Sequence, residues 1–379
     1  MKKYIFSVLI MVLVSCVTMA NDCVFYVRGN QLVPSNEEKD IAVEKEILTI
    51  SLQDNGKTSV SVYYEMNNKS GSEKTVEMGF EASTPYNSGD VLNSKGIHPY
   101  ISNFTVNMNG NVIPYSNAIV ENNIPNGFKP LDMNVWKKGS QYDESLYQML
   151  DNGNLSIEYS YAYYFSAKFQ PGVNRILHTY QYDTSNGVGV AYMIDYKLTP
   201  ALRWANKQID DFTLVVRADN TAKHFTINNE PFKNGEFKLD SGTGKCRKMK
   251  YYDKEVIEFT LRNGAFSWHG TNFKTTEELS LNSAENLYVS MHEPSEEMPI
   301  GFTYDRNINF GYMSPIDTEF EVRIAHNLPY AHRGYAFTKP EMKKYFEDFW
   351  WYMPDPDYKI STDDFTERDW YFVNFKLEK

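Results

Sequence analysis

Cysteine is scarce in this chain: Cys16, Cys23 and Cys246 are the only three in 379 residues. Basic residues are outnumbered, 38 Lys and Arg against 49 Asp and Glu, a net charge of -11. Removal of Lys2 and Lys3 with a leader would give 36 minus 49, or -13. Such a surface repels phosphate backbones, and no basic patch looks dense enough to reverse it, so nucleic acid is not an expected partner. Long apolar runs are also missing. The only candidate, Tyr4 to Val14, falls far short of the roughly 20 residues a membrane span needs. Preceded by two lysines, it reads as an export signal. Thr18-Met19-Ala20 offers a cleavage site before Asn21, while Leu13-Val14-Ser15-Cys16 also fits a lipobox with acylation on Cys16. We favour residues 1–20 as a signal peptide, with a lipid anchor at Cys16 as the alternative. Either way the mature chain is expected in the periplasm or at the cell surface, soluble or lipid-tethered. Cleavage at Ala20 leaves Cys23 and Cys246, which can pair in an oxidising compartment or persist as separate thiols; a bridge would close a long loop and contribute a few kcal/mol.

Catalytic signatures are absent or broken. No H-E-x-x-H helix occurs among the seven histidines, and there is no G-x-S-x-G elbow. Gly242-Thr243-Gly244-Lys245 resembles the end of a phosphate loop, but Leu239 stands where the first glycine belongs and Cys246 where magnesium needs Ser or Thr; a hairpin turn explains it better. Asp355, Asp357, Asp363 and Asp364 suggest a calcium loop that Pro356 interrupts, so a solvated acidic loop is expected. His326 and His332, six apart, occupy different faces of one helix and lack a third metal ligand. His178 sits among tyrosines on a strand pattern and reads as a hydrogen-bonded core histidine rather than a general base. No catalytic residue, metal site or cofactor is therefore assigned.

Aromatics are plentiful at 15%, with 28 Tyr. Apolar residues alternate as in half-buried strands: Leu48, Ile50, Leu52; Val60, Val62, Tyr64, Met66; Val76, Met78, Phe80; Phe104, Val106, Met108. Asn55-Gly56 and Asn109-Gly110 mark tight turns. A second series runs from Leu155 and Ile157 through Tyr159, Tyr161, Tyr163 and Phe165 to Ile176, His178, Tyr180 and Tyr182. These tyrosines can bury their rings and keep their hydroxyls wet. Asp143 to Gly153 reads as one inserted helix. The rhythm restarts at Phe212, continues through Phe225, Ile227, Phe237, Leu239, Ile257, Phe259 and Leu261, and ends at Leu287, Val289 and Met291. The fold class is mainly β, with antiparallel sandwich-like domains followed by a small helical one. The expected divisions are 21–204, 205–305 and 306–379.

The last segment changes period. Thr338 and Glu341 form a capping-box pattern that predicts a helix from Lys339, with Met342, Tyr345, Phe346, Phe349 and Trp350 on its buried face. Residues 317–333 and about 363–375 complete three helices, with Pro329 expected to kink or divide the first and Gly334 to close it. Tyr330-Ala331-His332-Arg333-Gly334 resembles the signature of the YARHG domain, a small module of exported bacterial proteins, with His332-Arg333 standing where that family usually has Arg then His. This resemblance implies address and architecture but no settled activity.

The β-rich part resembles, less specifically, an uncharacterised family of exported bacterial proteins. The likeness is carried by Asn21-Asp22-Cys23, Gln31-Leu32-Val33, Phe169-Gln170-Pro171-Gly172, His178-Thr179-Tyr180 and the stretch from Trp268 to Leu279. It implies β-structure, export and cleavage before Asn21. Two functional readings stand. In the first, a non-catalytic cell-envelope protein docks a glycan, a peptidoglycan fragment or a protein through Tyr330, His332, Arg333, Trp350, Trp351 and Tyr352, since flat rings stack on sugars and guanidinium forks bind carboxylates. In the second, an envelope-polymer hydrolase gathers its acid and base from distant residues.

Overall fold

The computed structural model describes residues 28–30, 32–34, 37–83, 96–121, 159–183, 185–187, 190–251, 254–283 and 318–377. The signal segment, Cys23, the helix expected at 143–153, the start of the second strand series at Leu155 and Ile157, and the strand expected at 287–291 lie outside the described residues.

Alternating sequence becomes two sheets. The larger one has the spatial order β1 (Arg28–Asn30), β12 (Val190–Lys197), β17 (Leu279–Ser283), β14 (Lys223–Asn228), β16 (Lys254–Phe273), β13 (Ile209–Ala218), β3 (Ile41–Leu52), β4 (Lys57–Asn68), β10 (Gly172–Asp183), β6 (Ile101–Met108) and β7 (Asn111–Val112). Beside β12 lies β11 (Ser185–Gly187), and beside β16 lies β15 (Lys238–Tyr251). The smaller sheet is β2 (Val33–Pro34), β5 (Lys74–Ser83), β9 (Tyr159–Phe169) and β8 (Ser116–Glu121). Pairing is antiparallel except for β1 with β12 and β3 with β13. Gly56 (φ 75°) turns β3 into β4, and Asn109 and Gly110 (φ 52° and 85°) turn β6 into β7, as those residues allow.

The two sheets share one core. Met78, Phe80, Tyr163 and Phe165 of the smaller sheet and Val62, Tyr64, Val106 and Ile176 of the larger belong to a single buried cluster that extends to Phe212, Phe259 and Leu281. The division expected near residue 205 is crossed by that cluster and by the nine-residue register from Ile209↔Val43 to Ala218↔Leu52. The expectation of wet tyrosine hydroxyls is corrected. Tyr161 of the smaller sheet and Tyr180 and Tyr182 of the larger are each about 1% exposed, because the facing sheets bury their inner surfaces in one core. Burial drives the phenol pKa values of Tyr180 and Tyr182 upward.

Three helices follow: α1 (Glu319–His332), α2 (Pro340–Glu347) and α3 (Glu367–Asn374). Their apolar faces meet in a second cluster that includes Ile324, Leu328, Met342, Phe346, Phe349 and Phe372. Capping boxes start α1 at Thr318 with Glu321 and α3 at Thr366 with Asp369. The box expected at Thr338 does not form: Lys339 is the N-cap of α2 and has no side-chain cap bond, and Pro340 supplies the helical φ instead. Pro329 lies inside α1 without dividing it.

Candidate functional site

Strand alternation decides what lies between the sheet and the helices. On β16, Ile257, Phe259 and Leu261 enter the main core, whereas Glu258, Thr260 and Arg262 belong to the opposite face. A polar face ordinarily meets water. Here all three are at most 5% exposed, because the helical module lies over them. His224 of β14 pairs with Thr260 in the ladder and shares that buried face.

The seam is held by directional contacts. Thr260 Oγ1 donates to Trp351 O (3.2 Å) and Arg262 Nη1 to Met353 O (3.2 Å). Ala222 N donates to His332 O (2.8 Å), and His332 Nδ1 returns a bond to Ala222 O (3.3 Å). The imidazole of His332 also stacks on Trp351, ring centres 4.5 Å apart.

The signature residues serve this docking. Gly334 N donates to Ala331 O (3.0 Å) and Tyr335 N to Tyr330 O (2.9 Å), the paired bonds of a Schellman cap, with Gly334 at φ +90°. A Cβ on Gly334 would stand 1.6 Å from Arg262 Nη1, so a side chain here would have to displace that guanidinium as well as adopt a strained backbone conformation. Arg333 is 3% exposed. Its Nε donates to both carboxylate oxygens of Asp364 (3.1 Å each), Nη2 to Asp369 (2.9 Å), and Nη1 to Pro329 O (3.0 Å). Burial opposes ionisation of Asp369, yet the bonds from Arg333 and Thr366 outweigh it and hold that carboxyl below its usual range. Tyr330 packs on Phe365, ring centres 5.4 Å apart.

Beside the seam lies a charged cluster that sequence reasoning missed. Glu258 Oε1 is 2.7 Å from His224 Nε2, and its Oε2 accepts from Arg247 Nε at 2.5 Å. Burial raises the carboxyl of Glu258, but these two partners lower it further, and the net shift is downward. Above the cluster sits the half-buried Trp350, with the Arg247 guanidinium 4.6 Å and the Lys245 ammonium 5.0 Å from its ring centroid. The His224 ring is 5.8 Å away. The available signal was the polar run Glu258, Thr260, Arg262, which alternation alone assigns to solvent.

The expected contact surface is rearranged. Trp351 and Tyr352, nominated as ligand contacts, are 4% and 6% exposed and belong to the helical core. The reason is that α2 ends at Glu347, so the following turn carries Trp351 inward and leaves Trp350 at the rim. Arg333 is likewise buried, and Tyr330 and His332 are half-buried in packing contacts. Of the six nominated residues, Trp350 faces the cationic strand.

Other sites resolve structurally. Gly242 lies in a bulge of β15 at φ +76°, against the backbone of Asn263, and not in a hairpin turn. Asp364 pairs with Arg333 and Asp355 lies 3.7 Å from Arg262, so the acidic loop is partly structural. His326 Nε2 donates to Phe375 O (2.7 Å). His178 is fully buried, donates Nδ1–H to Thr105 O (3.3 Å), and is pushed down by burial to a pKa of about 3. Cys246 has no disulfide partner among the described residues, and burial, with nearby Glu236, pushes its thiol upward in pKa. A cavity of about 70 Å³ at the seam, lined by Asp54, Lys223, His332 and Asp369 among others, has room for a few waters but is far below the size of a ligand pocket. Among the described residues no metal-holding cluster occurs, and no helix is long and apolar enough to cross a membrane.

Solved structures similar to this chain include a putative nutrient binding protein from Legionella pneumophila, 18% identical, covering 92% of this chain and 97% of that one at a TM-score of 0.48. An M1 zinc metallopeptidase from Deinococcus radiodurans is 11% identical over 65% of this chain and 44% of its own, at a TM-score of 0.23. Baculovirus P35 is 10% identical over 64% of this chain and 97% of its own, at 0.24. No match is found among curated proteins. Residues 313–372, which hold the clip of Tyr330 to Gly334, match the YARHG domain.

Proposed function

We propose that this is an exported, non-catalytic binding protein of the cell envelope, which offers the Trp350 platform to a glycan, a peptidoglycan fragment or another envelope protein. The observation that carries this reading is the half-buried Trp350 ring held beside Lys245 and Arg247 at the rim of the seam. An indole face stacks on a sugar ring, and a guanidinium or ammonium recognises a carboxylate or phosphate on the same ligand. Burial of the signature residues supports it further, since Arg333 and Gly334 are occupied in building the module rather than in reaching a ligand.

The hydrolase alternative needs a carboxyl or histidine free to exchange a proton in a cleft. Glu258 and His224 form a carboxylate–imidazole pair, but the pair is covered by the module and Glu258 is held ionised by two partners. Binding of purified muropeptides and neutral oligosaccharides to the whole protein tests the platform. Trp350→Ala should weaken binding about tenfold, the scale of one lost ring-stacking contact. Trp370→Ala, which removes an exposed ring on α3, should leave it unchanged. Equal affinities for wild type and Trp350→Ala would remove the platform from consideration.

A further inference from the structure

The ligand class of this platform follows from which β15 side chains share its face. Lys245 stands opposite Thr260 and Arg247 opposite Glu258, so both belong to the sheet face on which the module lies. Lys248 and Lys250 stand opposite Ile257 and Glu255 and belong to the other face. β15 has no strand on its outer side among the described residues, and lysines there guard an open edge against strand addition. That role accounts for Lys248 and Lys250, but not for an ammonium held 5.0 Å from an indole.

The two cations at Trp350 differ in what holds them. Arg247 is fastened by Glu258, whose other oxygen is taken by His224. Lys245 has no ion-pair partner among the described residues. Burial and the like charge of Arg247 hold its pKa below the usual lysine range, so an incoming anion would relieve it. Beyond Glu258 the same sheet face opens. Met249 and Val256 form the next pair along the ladder, and Thr226 stands opposite Glu258 on β14; all three are half-buried, whereas Glu258 is enclosed. Trp350 thus stands at the border between covered and open sheet, beside a floor of methyl and hydroxyl groups.

We infer that this corner binds a sugar carrying its own carboxylate, with the ring against Trp350 and the open floor and the acid paired with Lys245. This inference rests on the proposed platform and specifies its ligand. The flexible lysine stem lets the ammonium leave the indole and follow the acid, while the guanidinium of Arg247 stays on Glu258. One unmatched cation calls for one acid per bound sugar. The dense charge of a nucleic acid would instead meet the acidic remainder of a chain of net charge -11.

Two sources supply such a sugar, a uronic acid and an amino sugar with an acidic ether, and the test separates them. Affinity of the full protein is measured for trigalacturonate against its methyl ester, and for N-acetylglucosaminyl-N-acetylmuramic acid against di-N-acetylchitobiose. In at least one pair the acid should bind about tenfold more tightly, the scale of one charge-assisted hydrogen bond, and the difference should shrink as salt rises. Lys245→Met keeps the stem and removes the charge. It should abolish the preference for the acid and leave affinity for the neutral sugar unchanged. Lys250→Met, on the opposite face, should keep the preference. Both positions are exposed, so both variants should fold, which circular dichroism and melting temperature check. Equal affinity within both pairs, or a preference that survives Lys245→Met, would overturn the inference. If no preference is found and Trp350→Ala weakens acidic and neutral sugars alike, the platform stands and the acid assignment fails. If Lys245→Met acts and Trp350→Ala does not, the platform fails and the shared site with it.

Discussion

Single residues in this protein carry more structural weight than their chemistry suggests. His178 is the clearest case. Its ring lies among Phe80, Phe104 and Tyr180, with centroids 4.9 to 5.2 Å away, and burial keeps it neutral in the folded state. A folded pKa of about 3 lies below the unfolded value of about 6.5. The unfolded chain therefore takes up a proton first as pH falls. The contribution of the neutral ring is complete above about pH 6.5, declines by about 1.4 kcal/mol per pH unit below that, and is gone near pH 3. His178→Leu should flatten the stability change between pH 7 and 5.5 by about 1 kcal/mol relative to wild type, as measured by urea unfolding. Parallel pH profiles for the two proteins would show that the ring is not buried neutral. Glu258 and Asp369, both shifted downward, act lower on the scale: their contributions are present above about pH 4 and fade as pH falls further.

At the scale of the element, the end of α1 is where sequence and tertiary contact meet. Successive residues at a helix end point about 100° apart, which sends His332 to the sheet and Arg333 to Asp364 ahead of α3 and Asp369 in its first turn. Their order thus has a geometric meaning. Gly334 then turns the chain at φ +90° with Arg262 packed against its Cα. Gly334→Ala should cost about 1–3 kcal/mol from strain alone, and displacement of Arg262 from its bond to Met353 O should add to that. Chemical denaturation is the measure, and a loss below about 0.5 kcal/mol would mean that neither the turn nor the close approach constrains this position.

For the whole molecule, the helical module and the sheet form one structure through a buried polar seam. A segment of this size buries too little surface to be robust alone, and here Trp351 and Met353 take hydrogen bonds from β16. Residues 313–379 prepared by themselves should show no cooperative thermal transition by circular dichroism, while the full protein melts with coincident far-ultraviolet and tryptophan signals. A sharp melt of the fragment would show that the module is independent of its dock. Much of this architecture was legible beforehand. The alternation of Leu48, Ile50 and Leu52 or of Ile257, Phe259 and Leu261 marked true strands, and Gly334 marked a true helix end. The site was less legible, because Glu258, Thr260 and Arg262 look the same whether a polar face meets water or a neighbouring module.

What the amino-acid sequence determined by itself is the local geometry: period two through the sheets, helical period and capping boxes near the end, and glycine where the backbone turns left-handed. These depend on neighbours a few residues away. Only the tertiary structure decided which faces are covered, that Trp350 rather than Trp351 stands at the rim, and that β3 and β13 join the sheet across residue 205. Burial is set by residues distant in the chain, and periodicity carries no information about what comes to lie on a face.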